Sequence, residues 1–170
     1  LAQICVEVAQ AAPLKDINIV RRPNGKIRDS LAISGLLIDG AKSSHEMPDA
    51  VESAKIGLVA ADIDIPDYAQ QLQVQISDND GVQDFIQGRN AQLLGISEKL
   101  KKTGMNVLFC ARDIHPAIIE DLASSNVYVV RRVRRSDMEA LSNATNARII
   151  VNVETISKKD LGESRLLEEI

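Results

Sequence analysis

Between residues 107 and 153 the apolar positions fall into three short, nearly continuous runs with amphipathic segments between them. The runs are Val107-Leu108-Phe109-Cys110, Val127-Tyr128-Val129-Val130 and Ile149-Ile150-Val151-Asn152-Val153. Their shortness and β-branched content predict strands buried on both faces. Residues 114–125 and 136–144 are each long enough for a crossover helix. The stretch therefore predicts parallel βαβ units with right-handed connections. Asn126 stands where the first helix must stop, and Asn tolerates the left-handed position there. Ser136-Asp137-Met138-Glu139 has the form of a capping box opening the second helix.

Before this core the pattern is less regular. Leu1, Ile4, Cys5 and Val8 make a helical stripe that Pro13 ends. Residues 17–20 and 30–38 are predicted strands on either side of the turn signal Pro23-Asn24-Gly25, with Gly35 marking a bulge or close approach. A polar loop over residues 40–49 ends at Met47-Pro48, and residues 55–60 return as a strand. From 61 to 104 the texture changes. Ile63, Ile65, Tyr68, Leu72, Val74 and Ile76 lie in acidic, Gln-rich sequence with no Lys or Arg between Lys55 and Arg89. A long helix over residues 80–103 follows, striped by Val82, Phe85, Ile86, Leu93, Ile96 and Leu100, with Gly104 as its C′ residue. Gly88 and Gly95 inside it each cost about 1 kcal/mol against Ala, which predicts bending or fraying. This excursion is too long for a connector and reads as a protrusion. Ser157 is expected to cap a short turn ending at Lys159.

Hydrophobic residues are 45% of the 170 but aromatics only 2%, with no Trp, so the core must be aliphatic. The length suits one domain with an appendage. No run approaches the ~18 apolar residues of a membrane span and no signal peptide is visible, so no membrane partner is expected. Cys5 and Cys110 have neither metal-type nor redox-type spacing, so a reducing, cytoplasmic setting is expected. A net charge of −4 gives no general attraction to nucleic acid. The chain starts at Leu1, and its first residues read as the end of a helix, which predicts an internal fragment.

Neither GxGxxG nor GxxxxGK[ST] occurs, so no phosphate-binding loop is predicted. Cys110, Asp113 and His115 form the sharpest enzymatic grouping. They lie just past a parallel strand, where α/β sheets place ligands and where a thiolate nucleophile with a base would sit. The competing reading makes Cys110 a small buried hydrophobe and Asp113 a helix cap, and it is favoured. His45 is expected in solvent, and no His/Cys/Asp/Glu set has metal-site spacing. Arg131, Arg132, Arg134 and Arg135 make the only basic cluster. Either it is a phosphate or RNA patch, or it is a strand exit pairing with carboxylates; scarce aromatics favour the second.

Several of these short motifs recur at fixed spacing in one known family. Thr103-Gly104-Met105-Asn106-Val107 with Cys110, Val130-Arg131-Arg132-Val133, Ser136-Asp137-Met138-Glu139, Ala144-Thr145 and Ala147-Arg148-Ile149 resemble the apical domain of group II chaperonins. Met47-Pro48, Ala54-Lys55-Ile56, Ile76, Asp78 and Phe85 extend the resemblance, which covers residues 17–162. It departs at Ser44-His45-Glu46-Met47-Pro48, where the family usually reads His-Pro-Gly-Met-Pro. It departs again at Asp113, His115-Pro116 and Ile118-Ile119-Glu120-Asp121, and at Gly88 and Gly95.

The resemblance implies an α/β fold, a three-layer β/β/α apical domain with a helical protrusion (residues 61–95) that acts as a lid. Residues 1–16 would end an intermediate-domain helix and residues 163–170 would begin the return to that domain. It implies capture of unfolded polypeptides for folding, with client contact at Met47, Ile63, Ile65, Tyr68, Phe85, Ile114, Ile118, Ile119 and Leu122. Ile118 and Ile119 spread the apolar arc of their helix, so one flank is expected to pack on the sheet and the other to stay accessible. The family's GDGTT nucleotide motif lies outside this chain. ATP and Mg²⁺ are therefore expected in the full-length parent, an ATPase whose double ring supplies neighbouring subunits, while this segment is expected to be a monomer without cofactor, metal or catalytic residue. The alternatives from other classes are a small thiol-dependent enzyme using Cys110 and an RNA-binding module using the Arg cluster.

Overall fold

The structure, a computed structural model, describes residues 2–11, 17, 19, 20, 26–65 and 79–169. Residues Leu1–Leu37 and Ile38–Ile170 form two separate units. Among its described residues the first holds helix α1 (Ala2–Ala11) and a 3-10 turn at Ile27–Asp29. The strands expected over 17–20 and 30–38 are not formed at the described positions, and Ile19, Leu31, Ile33 and Leu36 are exposed. Alternating apolar residues make a strand only where a neighbouring strand supplies the hydrogen bonds, and the described positions here pair with no strand.

The second unit is built on β1 (Ala50–Val59). Its first half is partly exposed and its second half, from Ile56, is buried throughout. The change has a topological cause. Ile56 pairs with Val107 of β2 (Val107–Cys110) on one side and with Gly162 of β5 (Gly162–Glu168) on the other. From there the strand is flanked on both edges, with β4 (Ile149–Ile150) parallel to Leu58 and Val59. Ser53 has φ 52°, a turn in the ladder that sets the buried Val51 and Ala54 three residues apart.

Between these strands run α2 (Asn79–Lys102), α3 (Pro116–Ala123), β3 (Tyr128–Val130) and α4 (Arg135–Thr145). The sheet order is β3-β2-β1-β4, with those four strands parallel and β5 antiparallel to β1. The predicted parallel units are thus present, in a layered, mixed α/β fold. The strand order reverses at β1: β2 and β3 are added on one side, β4 on the other.

The core is aliphatic, as the composition requires, with Leu58, Leu108 and Val129 from the sheet, Leu93 and Leu100 from α2, Ile118 and Leu122 from α3, and Met138 from α4 all buried. Gly104 (φ 81°) and Asn126 (φ 56°) take the left-handed conformation expected after α2 and α3. Helix α2 is continuous through Gly88 and Gly95. The Ser136 capping box is not formed. Arg134 is the N-cap, its carbonyl accepts from the N–H groups of Asp137 and Met138, and Ser136 bonds Asp137 instead. Ser157 does cap its turn, in a box with Asp160. The third run forms a strand only at Ile149–Ile150, because the chain then turns at Val153–Thr155. Nothing in the sequence marks β5 as a strand: Gly162-Glu163-Ser164-Arg165 carries no apolar alternation.

Candidate functional site

Helix α3 starts where His115, its N-cap, accepts the Ala117 N–H at Nδ1 (3.2 Å) and Pro116 fills the first turn. It packs on β3 beneath and α2 alongside. Neighbours on two sides cover both flanks of the apolar arc, so Ile114, Ile118, Ile119 and Leu122 are all buried, none more than 7% exposed. The expected accessible flank is therefore corrected: in this conformation these four side chains are core. What α3 shows to solvent is Pro116, Glu120 and Ser124. A polar clamp fixes the helix to α2. Buried Ser97 donates from Oγ to Asp121 Oδ2 (2.5 Å), and Lys101 Nζ lies 2.6 Å from the same oxygen. The Lys101 contact, then the Ser97 hydrogen bond, hold the Asp121 carboxyl below its ordinary range.

Met47 is also buried, at 2% exposure, and it closes the sheet. β3 ends the strand order, so its outer backbone would be unpaired. The loop before β1 covers it. The Ser43 N–H donates to the Val129 carbonyl (2.9 Å), and the Val129 N–H donates to Met47 Sδ (3.3 Å). Lys42 holds the loop in shape: it pairs with Asp49, donates to the Met47 carbonyl and lies 3.8 Å from Glu169. The hydrogen bond to Asp49 raises the Lys42 pKa and lowers that of Asp49. His45 and Glu46 form the exposed loop tip.

Of the protrusion residues, Ile63 is buried and bridges Ile114, a core position. Ile65 is half-buried. Tyr68 lies outside the described residues, and so does the side chain of Phe85 on α2.

The enzymatic grouping is taken apart by its partners. Cys110 is fully buried, its Sγ 3.2 Å from the Ala61 carbonyl oxygen, and burial pushes its pKa up to about 11. Such a thiol is neutral at physiological pH and a poor nucleophile. Asp113 takes three hydrogen bonds from Arg132, Nε to Oδ1 at 3.1 Å and to Oδ2 at 3.0 Å and Nη2 to Oδ2 at 2.8 Å, which hold its carboxyl low. His115 is occupied as a cap. The Arg cluster follows the structural reading: Arg131 and Arg132 face Asp113, Arg134 faces Asp39 and Arg135 faces Glu139. Among the described residues no group of three His, Cys, Asp or Glu could hold a metal ion.

One feature had no counterpart in the expectations. Beyond the carboxyl ends of β1 and β4 lies an open cleft of about 600 Å³. Its walls are residues 61–65, the 92–99 stretch of α2 and residues 151–154. It stands where the strand order reverses, the position at which open α/β sheets bind ligands. Periodicity could not reveal it, because Val151 and Val153 continue the apolar run of β4 in sequence while leaving its direction in space.

The profile of the TCP-1/cpn60 chaperonin family matches residues 1–170. The thermosome subunit alpha of Thermoplasma acidophilum is 36% identical over 154 residues, 91% of this chain and 28% of that protein. A thermosome subunit of Methanopyrus kandleri is 34% identical over 153 residues, 90% of this chain and 28% of that protein. The chain thus spans less than a third of these relatives. An open-state monomer of a group II chaperonin from Methanococcoides burtonii matches with a TM-score of 0.69 and 31% identity, over 88% of this chain and 31% of that one. Among the described residues no helix is long and apolar enough to cross a membrane. The motifs that resembled an apical domain, the parallel sheet and these matches converge: the chain belongs to the TCP-1/cpn60 chaperonin family and is like the group II chaperonins within it.

Proposed function

We propose that the chain is the client-capturing, lid-bearing part of a group II chaperonin subunit that works in the cytoplasm on unfolded polypeptides. The observation that carries this reading is the family match along all 170 residues together with the acidic, apolar-studded segment 61–95 inserted between β1 and β2. Burial of Ile114, Ile118, Ile119, Leu122 and Met47 changes how capture works. These residues shape the surface from beneath. Clients meet the outer face of α3, at Glu120 and Ser124, the loop tip at His45 and Glu46, and the segment 61–95. ATP, Mg²⁺ and ring contacts belong to the rest of the subunit, so this segment neither binds nucleotide nor forms rings.

The test is light scattering of a chemically denatured client diluted into buffer with the chain. Suppressed aggregation at near-stoichiometric chain is expected; scattering unchanged by the chain would overturn the reading. Calorimetry at millimolar ATP should show no saturable binding.

A further inference from the structure

Helix α3 is held at its start by a side chain that changes charge near neutral pH. The His115 imidazole accepts the Ala117 N–H at Nδ1 (3.2 Å). Pro116 has no N–H, and the N–H groups of Ile118 and Ile119 donate to the His115 carbonyl (3.0 and 3.2 Å). Of these early amides, that of Ala117 is the one served by a side chain. His115 is itself fixed in place, because its own N–H donates to the Ile63 carbonyl (2.9 Å), and it is half-buried, so water reaches it. A ring nitrogen accepts only while it carries no proton, and a protonated imidazole has an N–H on both nitrogens. Imidazoles cross between these forms between pH 8 and pH 5. The cap is therefore present at the upper end of that range and is lost as the pH falls. A cation here is also opposed by the unpaired N–H groups and dipole at the start of the helix.

The charged groups on the neighbouring elements are mostly engaged with one another. In the loop before α3, Asp113 takes Arg131 and Arg132 from the exit of β3. Arg112 lies 3.9 Å from Asp62, on the segment whose Ile63 bridges Ile114. On the α2 side Lys101 pairs with Asp121, and Lys99 is exposed. Asp64 and Glu120 complete the set, both exposed. The Nδ1 bond of His115 goes to the Ala117 amide and to none of these carboxylates. What the cap closes is the turn that carries Ile118 and Ile119. Ile118 is 1% exposed and Ile119 7%, so a first turn that opens uncovers Ile119 first.

We propose that His115 is a proton-operated catch on α3: neutral, it caps the helix and keeps Ile118 and Ile119 covered; protonated, it releases the first turn and presents them to an unfolded client. The proposal rests on the client-capture reading and deepens it with a condition, since capture strengthens as the surroundings acidify. The far end of the helix stays in place, because Asp121 remains clamped to Ser97 and Lys101. That carboxyl is held below its ordinary value of 3.8 by Lys101 and then Ser97, so it stays charged while His115 changes state.

The chain has two histidines, His45 at the exposed loop tip and His115, so each is removed in turn. The test compares the unsubstituted chain with His115→Asn, whose side-chain oxygen caps a helix at every pH, and with His45→Gln. Amide protection factors from NMR, corrected for intrinsic exchange, are read at pH 7.5 and pH 5.5. Protection at Ala117 and Ile118 should fall at least fivefold on acidification in the unsubstituted chain and in His45→Gln, and stay within twofold in His115→Asn. Protection that holds in the unsubstituted chain, or falls equally in His115→Asn, overturns the proposal. His115→Asp carries the same comparison if the Asn variant does not fold. Anisotropy of rhodamine-labelled, reduced and carboxymethylated α-lactalbumin, a permanently unfolded client, gives the second readout. Its affinity for the unsubstituted chain relative to His115→Asn should rise at least threefold from pH 7.5 to pH 5.5, a ratio in which the probe's own titration cancels. A constant ratio with client bound at both values overturns the catch and leaves capture standing. Client bound by none of these proteins overturns the capture reading, and the client role of the catch with it.

Discussion

Two strips of backbone lie at the margins of this sheet, and the chain treats them in opposite ways. At the outer edge of β3, Val129 has its carbonyl and its N–H both occupied, by the Ser43 amide and the Met47 sulfur. Just past β1, residues 61–65 bend at Ala61 and Asp64, hold to the β2 side through the Ile63 bridge, and leave an open cleft beside residues 151–154. An unpaired edge invites strand addition, and proteins ordinarily blunt it. Here the β3 edge is blunted with a buried thioether, whereas past β1 the backbone leaves the ladder and a cleft stays open. The closed side behaves as core and the open side as surface.

The sharpest way to break this contrast is truncation. Ile118→Ala, behind the closed side, should cost about 2–5 kcal/mol in urea unfolding, whereas Val151→Ala on the open side should stay within about 0.5 kcal/mol. Comparable losses at both sites would abolish the distinction.

A smaller effect tests the seal itself. Met47→Leu keeps the volume and removes the acceptor, so the buried Val129 N–H loses its partner. A weak sulfur acceptor limits the loss to about 1 kcal/mol. Hydrogen exchange at the Val129 amide should accelerate by more than that loss alone explains, and unchanged exchange would show that the sulfur seals nothing.

Smaller still is the clamp on α3. The folded-state pKa of Asp121 lies below its ordinary value of 3.8, so its contribution is complete above that value and is lost as the pH falls through the lower folded value. Asp121→Asn should cost at most about 1 kcal/mol at neutral pH, since the pair is partly exposed. The variant should also show a shallower fall in stability between pH 4 and pH 2. Identical acid profiles would remove the clamp from consideration.

The two thiols give a contrast with no expected effect on stability. Native labelling at pH 8 should modify exposed Cys5 within minutes and buried Cys110 only on unfolding. Two fast thiols would reopen the nucleophile reading of Cys110.

Periodicity carried the sequence reading where burial is two-sided. Val107–Cys110 is a strand with the expected bounds, and the positions of Gly104 and Asn126 were legible because only certain residues accept a left-handed backbone. What escaped notice depends on partners distant in sequence. Nothing local in Gly162–Glu168 specifies a strand; it becomes one because β1 offers an edge. Ile118 and Ile119 misled for a related reason. A helical wheel counts apolar positions but not how many neighbours surround them, and α2 beside α3 absorbed the flank that the wheel left over. Met47 stood out in sequence, although its role as an acceptor for Val129 could not be read from a loop alone. The open cleft is the converse case, a divergence of two strands that leaves no mark on either sequence.

The pairing of β1 with β5 has a mechanical consequence. Ala50, the first residue of β1, is paired with Glu168, the last of β5, and one step further out the Glu169 N–H donates to the Asp49 carbonyl (3.0 Å). A load that pulls residues 49 and 169 apart therefore acts across this ladder from its open end. Hydrogen bonds loaded in that way fail one after another, like a zip, at far lower force than the same bonds sheared together. Lys42, set against both Asp49 and Glu169, sits at the tip where the first rung opens. The sheet is thus compliant towards a tug on these two neighbouring strand ends, with the Lys42 ammonium group as the latch.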